Sequence, residues 1–370
     1  MKIGIDARRL RQKNLTGIGM YLFSIISYID ENDFENEYYL YTNKPLEYKF
    51  KNKNIHEVVI NTNSVFNKLG SLWIEYILPR FIVKDKIEVF WGPENALPKK
   101  CKNIKMVVTI HDLALWIDSS WGKFSNYIIQ RFVVPKSIRR ADKIIAISEA
   151  TKLDILKFFK VKEERINVIY NGLSVNHHRS EKESIELTKE KFNIKKKYIL
   201  YVGTIEPRKN INTIIKSFNH ITEDIQLVLC GGLGWRYQSI IDCIDNCSNK
   251  ENIIQTGFVS EQEKIDLLSG AELFLFPSNY EGFGFPILEA MELEVPVITD
   301  RVSSLPEVAG DAAIYLKNHQ DDIELGKLIS SSLSMSVNEK NELIKKGKDR
   351  VKKFDIRNCA SDTMHLLYQL

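Results

Sequence analysis

Residues 276–291 hold the densest set of groups able to do chemistry. An apolar run ends at Phe276, a loop with Gly282 and Gly284 follows, and Pro286 stands where a helix would take its first turn. A helix start offers unpaired N–H groups and a partial positive charge, a combination suited to phosphate. The two glycines allow a ligand to approach the backbone closely. Glu281 lies in the loop and Glu289 about a turn inside the helix. One carboxylate can accept hydrogen bonds from a sugar ring and the other from the vicinal hydroxyls of a ribose. Two glutamates eight residues apart mean nothing alone among 48 acidic residues. The strand–loop–helix string around them gives them meaning.

A second cluster, Gly203 to Asn210, follows the apolar run 198–202. Arg208 and Lys209 stand there at the carboxyl end of a predicted strand, where a diphosphate would lie. Arginine grips a phosphate through two parallel bonds and lysine adds a compact charge. Such cations stabilise the negative charge that develops on a departing nucleotide diphosphate. A basic helix start is the plainer reading, but cations are disfavoured at that end of a helix. Two weaker signals lie upstream. Gly17 and Gly19, within Asn14-Leu15-Thr16-Gly17-Ile18-Gly19-Met20-Tyr21, fit a close backbone approach or a simple tight turn. His111, at the end of the apolar run 106–110, could bond a sugar or be a satisfied structural histidine. Position alone favours the structural role.

These groups need elements to hold them. Apolar runs at 2–6, 58–61, 87–91, 106–110, 143–147 and 166–170 alternate with helical patterns near 18–29, 66–81, 123–140 and 149–160. The runs 88–91 and 107–110 read as strands buried on both faces, which are typical of parallel sheets. The alternation predicts a doubly wound α/β domain over 1–175. A polar, charged stretch at 176–197 reads as a linker with room for one exposed helix. Alternation resumes at 198–203 and runs through 226–229, 253–255, 273–276, 295–299 and 313–316, which predicts a second such domain over 198–354. Residues 355–370 form a final amphipathic helix. Two such domains would face a ligand-binding cleft.

Length and composition fit this plan. A chain of 370 residues exceeds one ordinary core, and 44% hydrophobic with 27% charged residues is normal for a folded protein. The five cysteines are scattered, which implies reduced thiols in the cytoplasm rather than a disulfide framework. Cys243 and Cys247 lack a second ligand pair, so no zinc site is expected. No long apolar stretch precedes the first strand, and none approaches the roughly 18 residues of a spanning helix. Residues 1–180 hold 29 Lys and Arg against 19 Asp and Glu, an excess of ten, while the remainder is net acidic by six. A basic first half suits a lipid phosphate, an anionic membrane or, less well, nucleic acid; a lysine-loaded solvated surface explains it equally. The basic, aromatic stretches 68–81 and 121–140 are the candidates for a membrane surface, core packing being preferred for the first.

The strings GIGMY at 17–21, HDL at 111–113, ISEAT at 147–151, YNG at 170–172, YVGTIEPRKN at 201–210, EGFGFPILEAM at 281–291 and SSLPEVAGDAA at 303–313 span almost the whole chain. In that order they resemble a family 4 retaining glycosyltransferase of GT-B fold, most closely the bacterial O-antigen and capsule mannosyltransferases. The resemblance implies that Arg208 and Lys209 grip the diphosphate, Glu281 contacts the transferred sugar and Glu289 the ribose. It places backbone groups from Phe283 through Gly284, Phe285 and Ile287 to Leu288 over phosphates and sugar, with Gly203 beside them. The base would lie near Gly257, Phe258 and Val259. Gly17 and Gly19 would close from the opposite domain, and His111 would touch the sugar near its anomeric centre, against the reading from position. The final helix would cross back onto the first domain. Glu292-Leu293-Glu294 departs from relatives that carry small residues there, which puts the local turn in doubt.

The chain has no Asp-x-Asp motif, so no metal and no cofactor is expected, with Arg208, Lys209 and the helix start as phosphate clamps. The resemblance implies an oxocarbenium-like, front-face transfer in which the leaving phosphate takes the acceptor's proton. The expected donor is GDP-mannose and the acceptor a glycan or lipid-linked glycan in surface polysaccharide synthesis. A UDP-sugar-dependent hexosyl or N-acetylhexosaminyl transferase is the alternative. A nucleotide-sugar epimerase shares the plan but has other motifs. A noncatalytic nucleotide-sugar-binding protein sits poorly with an intact Arg208, Lys209, Glu281 and Glu289 set. Nucleic-acid binding lacks any recognition motif.

Overall fold

The computed structural model describes every residue except Asn14, Thr16, 62–69 and 174–176, together with the side chain of Ser71. Asn14 and Thr16 of the first glycine loop, residues 66–69 of the helix expected from Phe66, and the linker start at Asn176 therefore lie outside the described residues. The chain divides into two compact units, one of 1–120, 124–174 and 354–370, the other of 121–123 and 175–353.

The first unit is built on seven parallel strands: β1 (Lys2–Asp6), β2 (Glu37–Thr42), β3 (Ile55–Val59), β4 (Val89–Gly92), β5 (Lys105–Ile110), β6 (Lys143–Ala146) and β7 (Ile166–Val168). Their spatial order is β3-β2-β1-β4-β5-β6-β7. Successive side chains of a strand point to opposite faces. Phe90, Met106 and Val108 accordingly enter one apolar cluster, while Trp91 and Val107 enter the other. Both clusters are buried, which accounts for the unbroken apolar runs of β4 and β5. The sequence reading missed β2. Its segment Glu-Tyr-Tyr-Leu-Tyr-Thr looks half polar, yet each tyrosine ring packs while its hydroxyl finds a carboxylate: Tyr39 on Glu37 and Tyr41 on Asp85, both at 2.9 Å, and Tyr38 on Asp33 at 2.5 Å.

The basic stretch expected as one helix to residue 81 is interrupted over its described part. Gly70–Leu72 leads into a wider π-type turn at Trp73–Ile77, and Leu78–Lys84 resumes as α-helix. Pro79 has no N–H to donate backward, which favours such a break. Trp73, Ile74 and Leu78 are buried in the core, as preferred for this stretch.

The last helix, Ile356–Tyr368, belongs to the first unit and packs against the helix Ile18–Asn32. Cys359, Ala360, Met364, Leu366 and Leu367 complete that cluster. The incoming chain is stitched to 173 by Leu173 N–H to Phe354 O at 2.9 Å and Ile356 N–H to Leu173 O at 3.1 Å. A Cβ on Gly172 would stand 2.3 Å from the Ile356 nitrogen and 2.5 Å from the Asp355 carbonyl carbon. The glycine of the YNG string is thus set by close passage of the returning backbone.

The second unit repeats the plan with six parallel strands: β8 (Lys197–Val202), β9 (Ile225–Cys230), β10 (Ile253–Gly257), β11 (Leu273–Phe276), β12 (Val297–Thr299) and β13 (Ile314–Tyr315). Their order is β10-β9-β8-β11-β12-β13. The expected linker carries the helix Lys182–Lys191, which belongs to this unit. Ser180, Ser184 and Thr188 all donate to the buried Asp266 carboxylate, at 2.5, 2.9 and 2.8 Å, so this polar segment is docked rather than free.

Gly172→Ala is expected to destabilise the first unit by about 1–3 kcal/mol, as overpacking does. A fall in Tm with faster amide exchange in 356–368 checks this; an unchanged Tm contradicts it.

Candidate active site

The strand order of the second unit reverses between β8 and β11, and ligands of open parallel sheets bind where such a reversal opens a crevice at the carboxyl ends. The two chemistry-bearing segments are the loops after these two strands. After β8, Gly203 donates its N–H to Cys230 O at 2.9 Å, and Pro207–Lys209 form a single 3₁₀ turn ahead of the helix Ile211–Phe218. After β11 the chain passes Asn279 and Glu281 to Gly284, whose φ of 121° lies where side chains are strained, then enters the helix Phe285–Glu292 with Pro286 in its first turn.

The loops are joined through charge. Lys209 Nζ lies 2.5 Å from Glu281 Oε1, and Arg208 Nη1 lies 3.4 Å from Glu281 Oε2. Arg208 also donates to Glu206 Oε1 at 2.8 Å and to the Tyr280 carbonyl at 2.9 Å. Asn279 ties the same loops by backbone, its N–H reaching Arg208 O at 2.9 Å and its side-chain amide Pro207 O at 3.2 Å. Glu281 is buried, and the Lys209 side chain beside it is 12% exposed. Burial alone would raise the Glu281 carboxyl, but the Lys209 and Arg208 cations outweigh it and hold its pKa below the ordinary value. Glu281 therefore rests ionised, while at Lys209 burial outweighs the same pairing and lowers its pKa.

The SSLPEVAGDAA string acts here as a brace. The Ser303 hydroxyl accepts from Glu281 N–H at 2.9 Å, and the Ser304 hydroxyl donates to the carbonyls of Glu281 at 2.9 Å and Phe283 at 2.6 Å. Phe283 and Phe285 meet edge to face at 5.1 Å. Ile287 and Leu288 point into the core, and the Ile287 N–H already bonds Gly284 O at 3.1 Å, so it is not offered to a phosphate. Glu289 sits apart from this cluster, its Oε1 taken by Lys264 at 2.9 Å. Phe258, just past β10, is 75% exposed. At the departing turn, Glu294 takes a left-handed φ of 64° and pairs with Lys348, while Glu292 pairs with His177.

In the first unit, His111 follows β5 and is buried. Its Nε2 lies 2.7 Å from the Pro93 carbonyl, its N–H donates to Asn95 Oδ1 at 3.0 Å, and Tyr21 meets its ring edge-on at 5.0 Å. A carbonyl only accepts, so Nε2 carries the proton. Burial lowers the pKa of the ring, so the neutral form leaves Nδ1 as an acceptor. Gly17 caps the helix Ile18–Asn32 with φ 49°, and Gly19 lies in its first turn. The helix Phe124–Arg140 buries Val134 and Ile138 but leaves Phe124, Ile128, Ile129 and Phe132 exposed beside Arg131, Lys136 and Arg139.

Among the described residues, no three or more His, Cys, Asp or Glu side chains gather to hold a metal ion, and no helix is long and apolar enough to cross a membrane. All five cysteines are free thiols.

Two family models match in tandem: Glycosyltransferase Family 4 over residues 15–177 and Glycosyl transferases group 1 over 183–350. The chain belongs to the family 4 glycosyltransferases. This family 4 chain is 27% identical to O-antigen chain mannosyltransferase B of Escherichia coli over 75% of its own length and 73% of that protein's. It is 29% identical to O-antigen chain mannosyltransferase RfbU of Salmonella typhimurium over 56% of each. A match to the serotype-specific mannosyltransferase WbdA of Escherichia coli, 29% identical, covers half of this chain but only 24% of that longer protein. Among solved structures, WaaG, a glycosyltransferase involved in lipopolysaccharide biosynthesis, superposes over 99% of both chains with a TM-score of 0.75 at 15% identity. Anabaena HepE in complex with UDP and glucose covers 100% of this chain and 99% of its own, with a TM-score of 0.74 at 16% identity. These likenesses show the GT-B fold.

Reading the sequence singled out Arg208, Lys209, Glu281 and Glu289, of which the structure brings the first three together and holds Glu289 apart on Lys264. It missed Glu206, Asn279, Ser303, Ser304 and Lys264, whose local patterns are those of ordinary polar loops and a solvated helix. Only the SSLPEVAGDAA string carried a signal for the serines.

The depressed Glu281 pKa fixes the sign of a pH effect. Its stabilisation is complete above the ordinary glutamate pKa and is lost as pH falls through the lower, folded value. Glu281→Gln should therefore be less stable than the parent at neutral pH, by roughly 3–5 kcal/mol for a broken buried pair, with the gap narrowing in acid. Thermal melts against pH check this, and parallel profiles for the two proteins contradict it.

Proposed function

We propose that this family 4 enzyme is a retaining hexosyltransferase that moves mannose from GDP-mannose to a glycan or lipid-linked glycan acceptor during surface polysaccharide synthesis. The observation that carries the reading is the Arg208–Lys209–Glu281 cluster, centred on the buried Glu281, at the β8/β11 reversal. Glu281 and Glu206 together balance the charge of the two cations. A donor diphosphate would take over Arg208 and Lys209, freeing the carboxylate to accept from hydroxyls of the transferred sugar. Glu289 would receive the ribose hydroxyls and Phe258, exposed beyond β10, would lie against the base. Gly203 and the backbone at Phe283, Gly284 and Phe285 would line the phosphates. The roles expected of His111, Gly17 and Gly19 on the first unit remain part of this proposal, with the neutral His111 accepting through Nδ1.

The cations and the helix start supply the charge stabilisation a leaving diphosphate needs, so the transfer is assigned no metal and no cofactor. Front-face attack, with the leaving phosphate accepting the acceptor's proton, keeps the anomeric configuration without an enzyme-bound sugar. The names of the relatives from Escherichia coli and Salmonella support mannose. A UDP-sugar donor is the second reading, favoured by the UDP held in a protein of the same fold.

Thermal stabilisation by GDP, UDP, ADP and dTDP tests the donor class. GDP should raise Tm by several degrees at saturation and Glu289→Ala should reduce the shift. A response confined to UDP moves the donor to UDP-hexoses or their N-acetyl forms, and no response to any nucleotide contradicts a transferase. NMR of the first-formed product should show the donor's own anomeric configuration; the opposite anomer contradicts retention.

The exposed apolar and basic residues of the helix Phe124–Arg140 support peripheral contact with an anionic membrane at the cytoplasmic face. Vesicles containing anionic lipid should retain the protein at low salt and release it at high salt. Equal recovery with neutral vesicles contradicts this assignment.

A further inference from the structure

Lys264 was not among the residues expected to matter, yet it meets Glu289 directly. It rises from the helix Glu261–Ser269, whose start is fixed by a reciprocal Ser260–Glu263 capping box. Its ammonium lies 2.9 Å from Glu289 Oε1 and 2.9 Å from Glu261 Oε1, and the Lys264 and Glu289 side chains are each less than one-fifth exposed. The neighbouring Glu292 is held separately, by His177 Nδ1 at 2.9 Å and His177 N–H at 3.2 Å. Glu289 therefore depends on Lys264. Among the described residues, no hydrogen bond reaches its second oxygen, Oε2.

This arrangement addresses two physical problems. A carboxylate turns easily about its terminal torsion, so one that must meet a pair of vicinal hydroxyls gains from having one oxygen anchored. A carboxylate near an incoming diphosphate also repels it, and an adjacent ammonium offsets that repulsion. Burial works against the Lys264 charge, but Glu289 and Glu261 outweigh it, so the lysine stays cationic. The same helix begins just after Phe258, so a single element would link the base contact to the ribose contact.

We propose that Lys264 is a positioning residue for donor binding, holding Oε1 of Glu289 so that Oε2 accepts the ribose hydroxyls of a nucleoside diphosphate. The inference rests on the ribose role proposed for Glu289.

Calorimetric titration of the full chain with GDP, UDP and their 2′-deoxy counterparts tests it. In the parent protein, loss of the 2′-hydroxyl should weaken binding about tenfold, as for one hydrogen bond to a charged group. Lys264→Gln should shrink that ratio to about two- or threefold and raise the donor KM with kcat changed less than about twofold, while Lys264→Arg restores both. Lys264→Met keeps the packed stem and serves if the glutamine variant does not fold. A Lys264 variant that keeps the tenfold ratio, or loses affinity equally for both sugars, while Glu289→Gln abolishes the ratio, overturns the role of Lys264 alone. A full ratio in Glu289→Gln overturns the ribose assignment and this inference with it.

Discussion

A buried carboxylate must be paired, and Glu281 is paired with two cations that arrive on a different loop. Arg208 and Lys209 precede the positive end of the helix Ile211–Phe218, where cations are disfavoured, whereas Glu281 stands close to the start of another helix, which favours its negative charge. The reversal of strand order between β8 and β11 brings the two loops side by side, and Asn279, Ser303 and Ser304 fix their backbones. The result is a compact set of opposite charges.

The first unit meets its own constraint by borrowing the end of the chain. Its sheet has two apolar faces, and the helix Ile18–Asn32 together with Ile356–Tyr368 covers one of them. The returning backbone passes Gly172 so closely that a side chain there has no room. A residue that looks like part of a functional string is therefore explained by packing, whereas His111, which position alone would make structural, keeps one ring nitrogen able to accept.

Strand–helix alternation was legible because parallel strands buried on both faces leave unbroken apolar runs, as β4, β5 and β11 do. The strand β2 escaped because tyrosine hides apolar area behind a hydroxyl. Glu281 and Glu289 were legible because glycine and proline mark the loop and helix start around them. Lys264 was not, because its partner Glu289 lies 25 residues on, and Glu206 was not, because nothing in its pattern marks the bond it accepts from Arg208. Residues 176–197 read as a linker because Ser180, Ser184 and Thr188 look solvated until Asp266 is seen beneath them.

The central claim is that Arg208 and Lys209 are placed to hold a diphosphate. Calorimetric titration of GDP against guanosine, and UDP against uridine, in the parent chain and in Lys209→Met tests it most directly. The account predicts that one diphosphate binds the parent roughly a hundredfold or more tighter than its nucleoside, as for two charged hydrogen bonds. In Lys209→Met most of that preference should vanish while nucleoside affinity is kept. An undiminished preference in the variant would contradict the account.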